Sequence, residues 1–168
     1  MALTAETGVN AMRSQWSFEV TSLVLAPADM VWRRIVTPEG INDEMRPWMT
    51  MSLPRGVGEV SIETIRVGVP VGRAWLRLFG VLPFDYDRLT LTELEPGRRF
   101  HEVSTMLSMR RWVHDRTVEA TTDRTAVVTD RVTLEPRVIL RLAGPLLQVL
   151  LRAFFGHRHR RLRRHFER

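Results

Sequence analysis

The chain has 168 residues, 44% of them hydrophobic, enough for one domain with a core that buries about 70% of the surface of the unfolded chain. It contains no cysteine, and all 25 of its basic residues are arginine, which excludes disulfides, thiolate metal sites, cysteine nucleophiles, Schiff-base lysines and a P-loop lysine. The net charge of +6 is confined: the final thirteen residues hold six arginines against Glu167, leaving a nearly neutral body without the broad basic surface that nucleic acid requires.

The opening "MALTAETGVNAMRSQ" has no long apolar run, so residues 1–14 are expected to be a loose lead-in and not a signal peptide. "QWSFEVTSLVL" alternates Trp16, Phe18 and Val20 with polar neighbours and predicts a strand. "APADMVWRRIV" follows, with Pro27 and Asp29 starting a helix whose apolar side is Met30, Val31 and Ile35. A second short helix opens at Pro38 and closes at Pro47. Residues 54–72 are rich in Gly, Pro and Val, with a strand expected near 59–67.

A series of strands comes next: "RAWLRLFG", a turn at "VLPFD", "YDRLTLTEL", a turn at "EPG", then "RRFHEVSTML", "MRRWVHDRTVEA" and "TAVVTDRVTLEP". Their short polar connections predict an antiparallel meander. From Pro145 the period becomes helical, and Leu147, Leu151, Phe154, Phe155, Leu162 and Phe166 fall on one stripe that also holds Arg158. Arg160, Arg163 and Arg164 point elsewhere. The closing helix is therefore expected to cover the sheet, with an arginine-rich outer side capable of weak contact with an anionic membrane. Arg141, Pro145 and Arg152 interrupt the apolar stretch 138–155, which argues against a membrane span.

On the strand 125–136, Ala126, Val128, Val132 and Leu134 share a face with Asp130, and on the strand before it Trp112, His114, Arg116 and Val118 share one. An odd-numbered loop near Thr121–Asp123 turns both sets to the same side, setting His114 opposite Asp130 and Trp112 opposite Val132. An even loop brings Val113 and Asp115 inward instead. In the odd register His114, Asp130 and Arg158 are candidates for one polar cluster. It reads either as a proton-handling or ligand-anchoring site, or as a satisfied buried ion pair joining helix to sheet. His157 and His159 are two apart and face different ways on a helix, and His101–Glu102 has no evident ligand partner, so no metal and no cofactor is expected. Tyr86 is the sole tyrosine. Trp16, Trp32, Trp75 and Trp112 lack the interleaved basic residues of a base-stacking surface, and no nucleic-acid partner is expected.

The stretches "FEVTSLVLAPADMVWRRIVTPEGIND", "RRWVHDRTVEA", "TAVVTDRVTLEP" and "FFGHRHRRLRRHF" resemble the START-like or SRPBCC superfamily, which includes polyketide cyclases and lipid-transfer domains. The resemblance spans roughly residues 15–166 and implies an α+β helix-grip fold: a curved antiparallel sheet wrapped around a long C-terminal helix, with two short helices after the first strand. Residues 15–168 are then a single ligand-binding domain with a largely apolar cavity. Trp75, Trp112, His114, Val128, Val132, Leu151, Phe154, Phe155 and Arg158 are the expected lining. The expected function is binding or transport of a small hydrophobic molecule in the cytoplasm. The alternatives are a cyclase- or dehydratase-like enzyme using His114, Asp130 and Arg158, and a membrane- or partner-binding protein using Arg160, Arg163 and Arg164.

Overall fold

The computed structural model describes residues 15–54 and 61–167. Strand β1 (Trp16–Val24) leads into helix α1 (Ala28–Ile35) and helix α2 (Pro38–Met45). Strands β2 (Met49–Met51), β3 (Pro70–Leu78), β4 (Leu82–Glu95), β5 (Arg99–Met106), β6 (Met109–Thr122) and β7 (Thr125–Pro136) follow, and helix α3 (Gly144–Phe166) closes the chain. The seven strands form one antiparallel sheet in the order β1-β7-β6-β5-β4-β3-β2. Irregularities in β3, β4 and β6 add local twist, and the sheet curls around α3 as a helix-grip fold does.

Local chemistry sets the helices. Pro27 sits at the N-cap of α1, and the Thr37 hydroxyl caps α2 by accepting the Gly40 N–H at 3.1 Å, with Pro38 in the first turn. Gly40 permits a tight approach to α1, since a Cβ there would lie 1.9 Å from the Arg34 carbonyl oxygen. That contact turns Glu44 and Met45 of α2 into the interior. At the start of α3, a Cβ on Gly144 would stand 2.2 Å from the Trp16 ring, so glycine lets the helix seat against β1. The core has two centres. Val24, Trp32, Ile35, Val128 and Leu162 fill one, while Phe18, Trp112, Val132, Leu134 and Phe155 fill the other. Burying each large apolar side chain contributes about 1.5–3 kcal/mol.

Several sequence expectations shift. Met30 is exposed and Trp32 takes its place in the core, because the buried side of α1 runs through Val31, Trp32 and Ile35. No strand forms over 61–67. Ile62–Thr64 is a short 3₁₀ turn, capped by the Ser61 hydroxyl, and the rest of the expected strand lies outside the described residues. The turn expected at "VLPFD" falls earlier, at Phe79–Val81, where Phe79 and Gly80 adopt positive φ. The three-residue strand β2 was not anticipated, and a 3₁₀ turn over Val138–Ala143 precedes α3.

The β6–β7 hairpin keeps the expected faces but slides by two residues. Trp112 pairs with Leu134, His114 with Val132 and Arg116 with Asp130. The turn itself is even, the two residues Asp123 and Arg124, and the extra residue where the register shifts between Ala120 and Thr122 restores the faces that an odd loop gives. Arg116, not His114, therefore stands directly opposite Asp130.

Candidate functional site

Alternation along β6 and β7 carries His114, Arg116 and Asp130 onto the concave side of the sheet, beneath α3. Helix α3 brings Arg158 and His159 down onto them, and α2 supplies Glu44. All six side chains are buried, with Arg116 and Asp130 at 0% exposure, so each charge needs a partner.

The partners are present. Asp130 Oδ1 accepts from His114 Nε2 at 2.8 Å and Oδ2 accepts from His159 Nε2 at 2.8 Å. Arg116 Nε lies 2.8 Å from Asp130 Oδ1, close enough for strong attraction though not aligned for a hydrogen bond. The Arg116 fork donates to both oxygens of Glu44, at 3.0 and 2.8 Å. Arg158 reaches the same carboxylate at 3.1 and 3.2 Å. Two carboxylates thus face two guanidiniums. Burial acts to raise Asp130, but Arg116 and the two histidines outweigh it and hold the carboxyl well below its usual range.

An ionised Asp130 only accepts, so each imidazole carries its proton on Nε2. His159 Nδ1 then accepts from the Ser22 hydroxyl at 2.7 Å, which ties β1 to the network. The His114 ring is held edge-on between Phe100 and Phe155 at centroid distances of 5.3 Å. Arg158 lies over the Phe155 ring at 4.8 Å.

This network backs onto a cavity of about 710 Å³ between α2, α3 and the strands β3–β6. Ile35, Met45, Leu76, Phe84 and Phe154 are typical of its apolar wall. His114, Arg116 and Arg158 reach it from the network, while Asp130 and His159 stand behind them. A second polar group enters from β4 and β5. Asp85 accepts the Leu107 N–H at 2.8 Å and the Ser108 hydroxyl, and so closes the β5–β6 turn. Glu102 accepts from Ser104 at 2.6 Å. Asp87 has no hydrogen-bond partner for Oδ1 among the described residues. Burial first, then the neighbouring carboxylates of Glu102 and Asp85, push its carboxyl well above the usual range. The cavity therefore has, within one apolar wall, a corner of charge-paired guanidiniums and a carboxyl raised above its usual range.

Of the residues expected to line the cavity, Trp112, His114, Leu151, Phe154, Phe155 and Arg158 border it. Trp75 does not: Ala74 takes the inward position on β3, and Trp75 stands 43% exposed on the outer face against Tyr86. Val128 and Val132 are packed in the core instead. Arg158 pairs with Glu44 and not with Asp130, because Arg116 occupies the place beside that carboxylate. Tyr86 lies on the outer face with Arg73 over its ring at 4.9 Å. His101 also faces outward, to Asp115 at 2.9 Å, and His157 meets the Arg46 carbonyl. Among the described residues no group of three or more His, Asp or Glu side chains is arranged to hold a metal ion.

Sequence reasoning missed Glu44, Arg116, His159, Asp87 and Glu102 as members of the site. His159 was legible, since it lies four residues after Phe155 and three before Leu162 on the buried side. Asp87 was legible too, because Asp85, Asp87, Leu89 and Leu91 share one face of β4.

Solved structures share this architecture at low identity. A protein from Chromobacterium violaceum matches with a TM-score of 0.68 at 14% identity, over 90% of this chain and 98% of its own. A START superfamily protein from Mycobacterium smegmatis matches with a TM-score of 0.64 at 10% identity, over 90% and 97%. The Zhui aromatase/cyclase from a Streptomyces species matches with a TM-score of 0.68 at 14% identity, over 92% and 94%. The fold is START-like, of the SRPBCC type. No curated protein matches the sequence. Residues 22–166 match the model described as "Domain of unknown function (DUF8410)", and the chain belongs to that family.

Proposed function

We propose that this protein binds and carries a small, mostly apolar molecule with one polar end. The observation that carries this reading is the cavity of about 710 Å³, a size suited to a small-molecule ligand, whose apolar wall is broken by a few convergent polar groups. His114, Arg116 and Arg158 are locked by Asp130 and Glu44, so they would orient the polar end of a ligand without rearranging. The cytoplasm is the proposed site of action.

A specific observation favours one second reading. His114 borders the cavity with Nε2 fixed by Asp130, the arrangement that leaves Nδ1 able to take a proton from a substrate. In a cyclase- or dehydratase-like enzyme, His114 would move the proton, Asp130 would orient the ring, and Arg158 would hold a developing enolate. The aromatase/cyclase named above shares the fold.

A fluorescent fatty-acid analogue tests the first reading. It should bind the native protein one to one and lose most of its affinity in Ala74→Trp, which places an indole in the cavity. Equal binding by a folded Ala74→Trp variant would contradict the reading. Incubation with a poly-β-ketone thioester mimic separates the two readings: an enzyme turns it over and His114→Gln abolishes that turnover, whereas a carrier turns over none in either form.

A further inference from the structure

We propose that the end of the molecule surrounding the cavity mouth docks onto an anionic lipid bilayer, with residues 138–150 and the tip of the β3–β4 hairpin entering the headgroup layer. The antiparallel order places the β3–β4 tip, the β5–β6 turn, the end of β7 and the start of α3 at one end of the sheet. That end is apolar. Val138, Ile139, Leu142, Leu146, Val149 and Leu150 are all exposed, Ile139 at 92% and Leu142 at 84%. Phe79, Val81, Leu82 and Leu107 project from the neighbouring turns. The opposite end carries the polar turns Glu95–Arg98 and Thr121–Arg124.

Within Val138–Phe166 an 18-residue apolar stretch is only 11% buried, whereas the core helix of a globular domain buries most of its apolar residues. Contiguous exposed apolar surface of this kind marks an interaction site. Charge identifies the partner. Arg137, Arg141 and Arg152 flank the apolar residues, and no acid occurs between residues 136 and 166. Arg77, Arg110 and Arg111 border the same end, where Asp85 is buried and Glu135 lies 3.9 Å from Arg111. A second copy docked here would bring together two arginine-rich surfaces on which Glu135 is a partly exposed acid, whereas anionic headgroups neutralise them. Trp48, Phe84 and Leu150 belong both to this surface and to the cavity lining, so the mouth opens into the docked face. That last point rests on the cavity reading, while docking does not. Arg160, Arg163 and Arg164 lie towards the opposite end of α3 and are not part of this face.

Vesicle co-sedimentation tests the proposal with the full chain. Vesicles of phosphatidylcholine with about one-third phosphatidylglycerol should retain the protein at about 0.15 M salt, where purely electrostatic contact is largely screened. Ile139→Glu combined with Leu142→Glu should lower partitioning roughly tenfold. Both positions are exposed, so the fold is kept, and unchanged circular dichroism with intact binding of the fatty-acid analogue verifies it. Arg160, Arg163 and Arg164 changed together to Gln should leave partitioning within about twofold. Absence of native binding, or binding indifferent to the glutamates, overturns the proposal. So does loss confined to the glutamine variant, or a dimer in gel filtration that the glutamates dissolve without any vesicle binding.

Discussion

Replacing Asp130 with Asn keeps the shape of the side chain and deletes its charge, on which three side chains, His114, Arg116 and His159, depend. Arg116 Nε stands 2.8 Å away, a separation worth about 6 kcal/mol of attraction at an effective dielectric of 20, before desolvation is subtracted. The new amide also meets two imidazole N–H donors with one oxygen and one NH₂ group, so one buried donor loses its acceptor at a cost of about 1–3 kcal/mol. Removing the desolvation of the carboxylate offsets part of this, and the net loss expected is about 3–5 kcal/mol. Urea unfolding at neutral pH should then show a midpoint lower by roughly 2 M, given a slope of about 2 kcal/mol/M. Asp130 is held below its unfolded value, so its contribution is present above that value and disappears as pH falls through the folded one. The variant should accordingly lack part of the acid-side decline of the parent. Because Arg116 is the facing guanidinium, Asp130→Leu with Arg116→Met should recover part of the loss. A loss under about 0.5 kcal/mol, typical of surface sites, would refute the network.

Asp87 carries the opposite sign: its carboxyl is raised, so the folded chain binds the extra proton, and stability should decline as pH rises from the ordinary carboxylate value through the folded one. Asp87→Asn should flatten that decline and raise the melting temperature at neutral pH, and a lower one would count against the buried acid pair. Phe155→Ala removes a ring 2% exposed that contacts Phe18, Trp112 and His114, and should cost about 3–5 kcal/mol by chemical denaturation. A cost near that of a surface change would mean that α3 is not seated as described.

The sequence shows most where its patterns are local. Strand β7 was read from Thr125 to Pro136 because alternation and bounding turns are properties of twelve consecutive residues. The inward faces of β6 and β7 followed from the same alternation, while their register did not, because moving the turn to Asp123–Arg124 with a bulge before it slides every pairing by two and leaves both patterns intact. The site divides the same way. His114, Asp130 and Arg158 stood out as polar residues on apolar faces, but their partners are set by packing between distant segments. Glu44 lies 72 residues from Arg116 and 114 from Arg158, on a short helix of weak apolar pattern. Trp75 is expected in the cavity lining, but alternation with the buried Ala74 puts it on the outer face.

Native mass spectrometry of the protein as purified, under conditions that keep non-covalent complexes, tests the central reading most directly. A bound species of small-molecule mass, extractable into organic solvent and absent from folded Ala74→Trp, is the expected result. A native chain that is ligand-free as purified and stays so after incubation with the fatty-acid analogue would contradict the assignment of the cavity as a binding site.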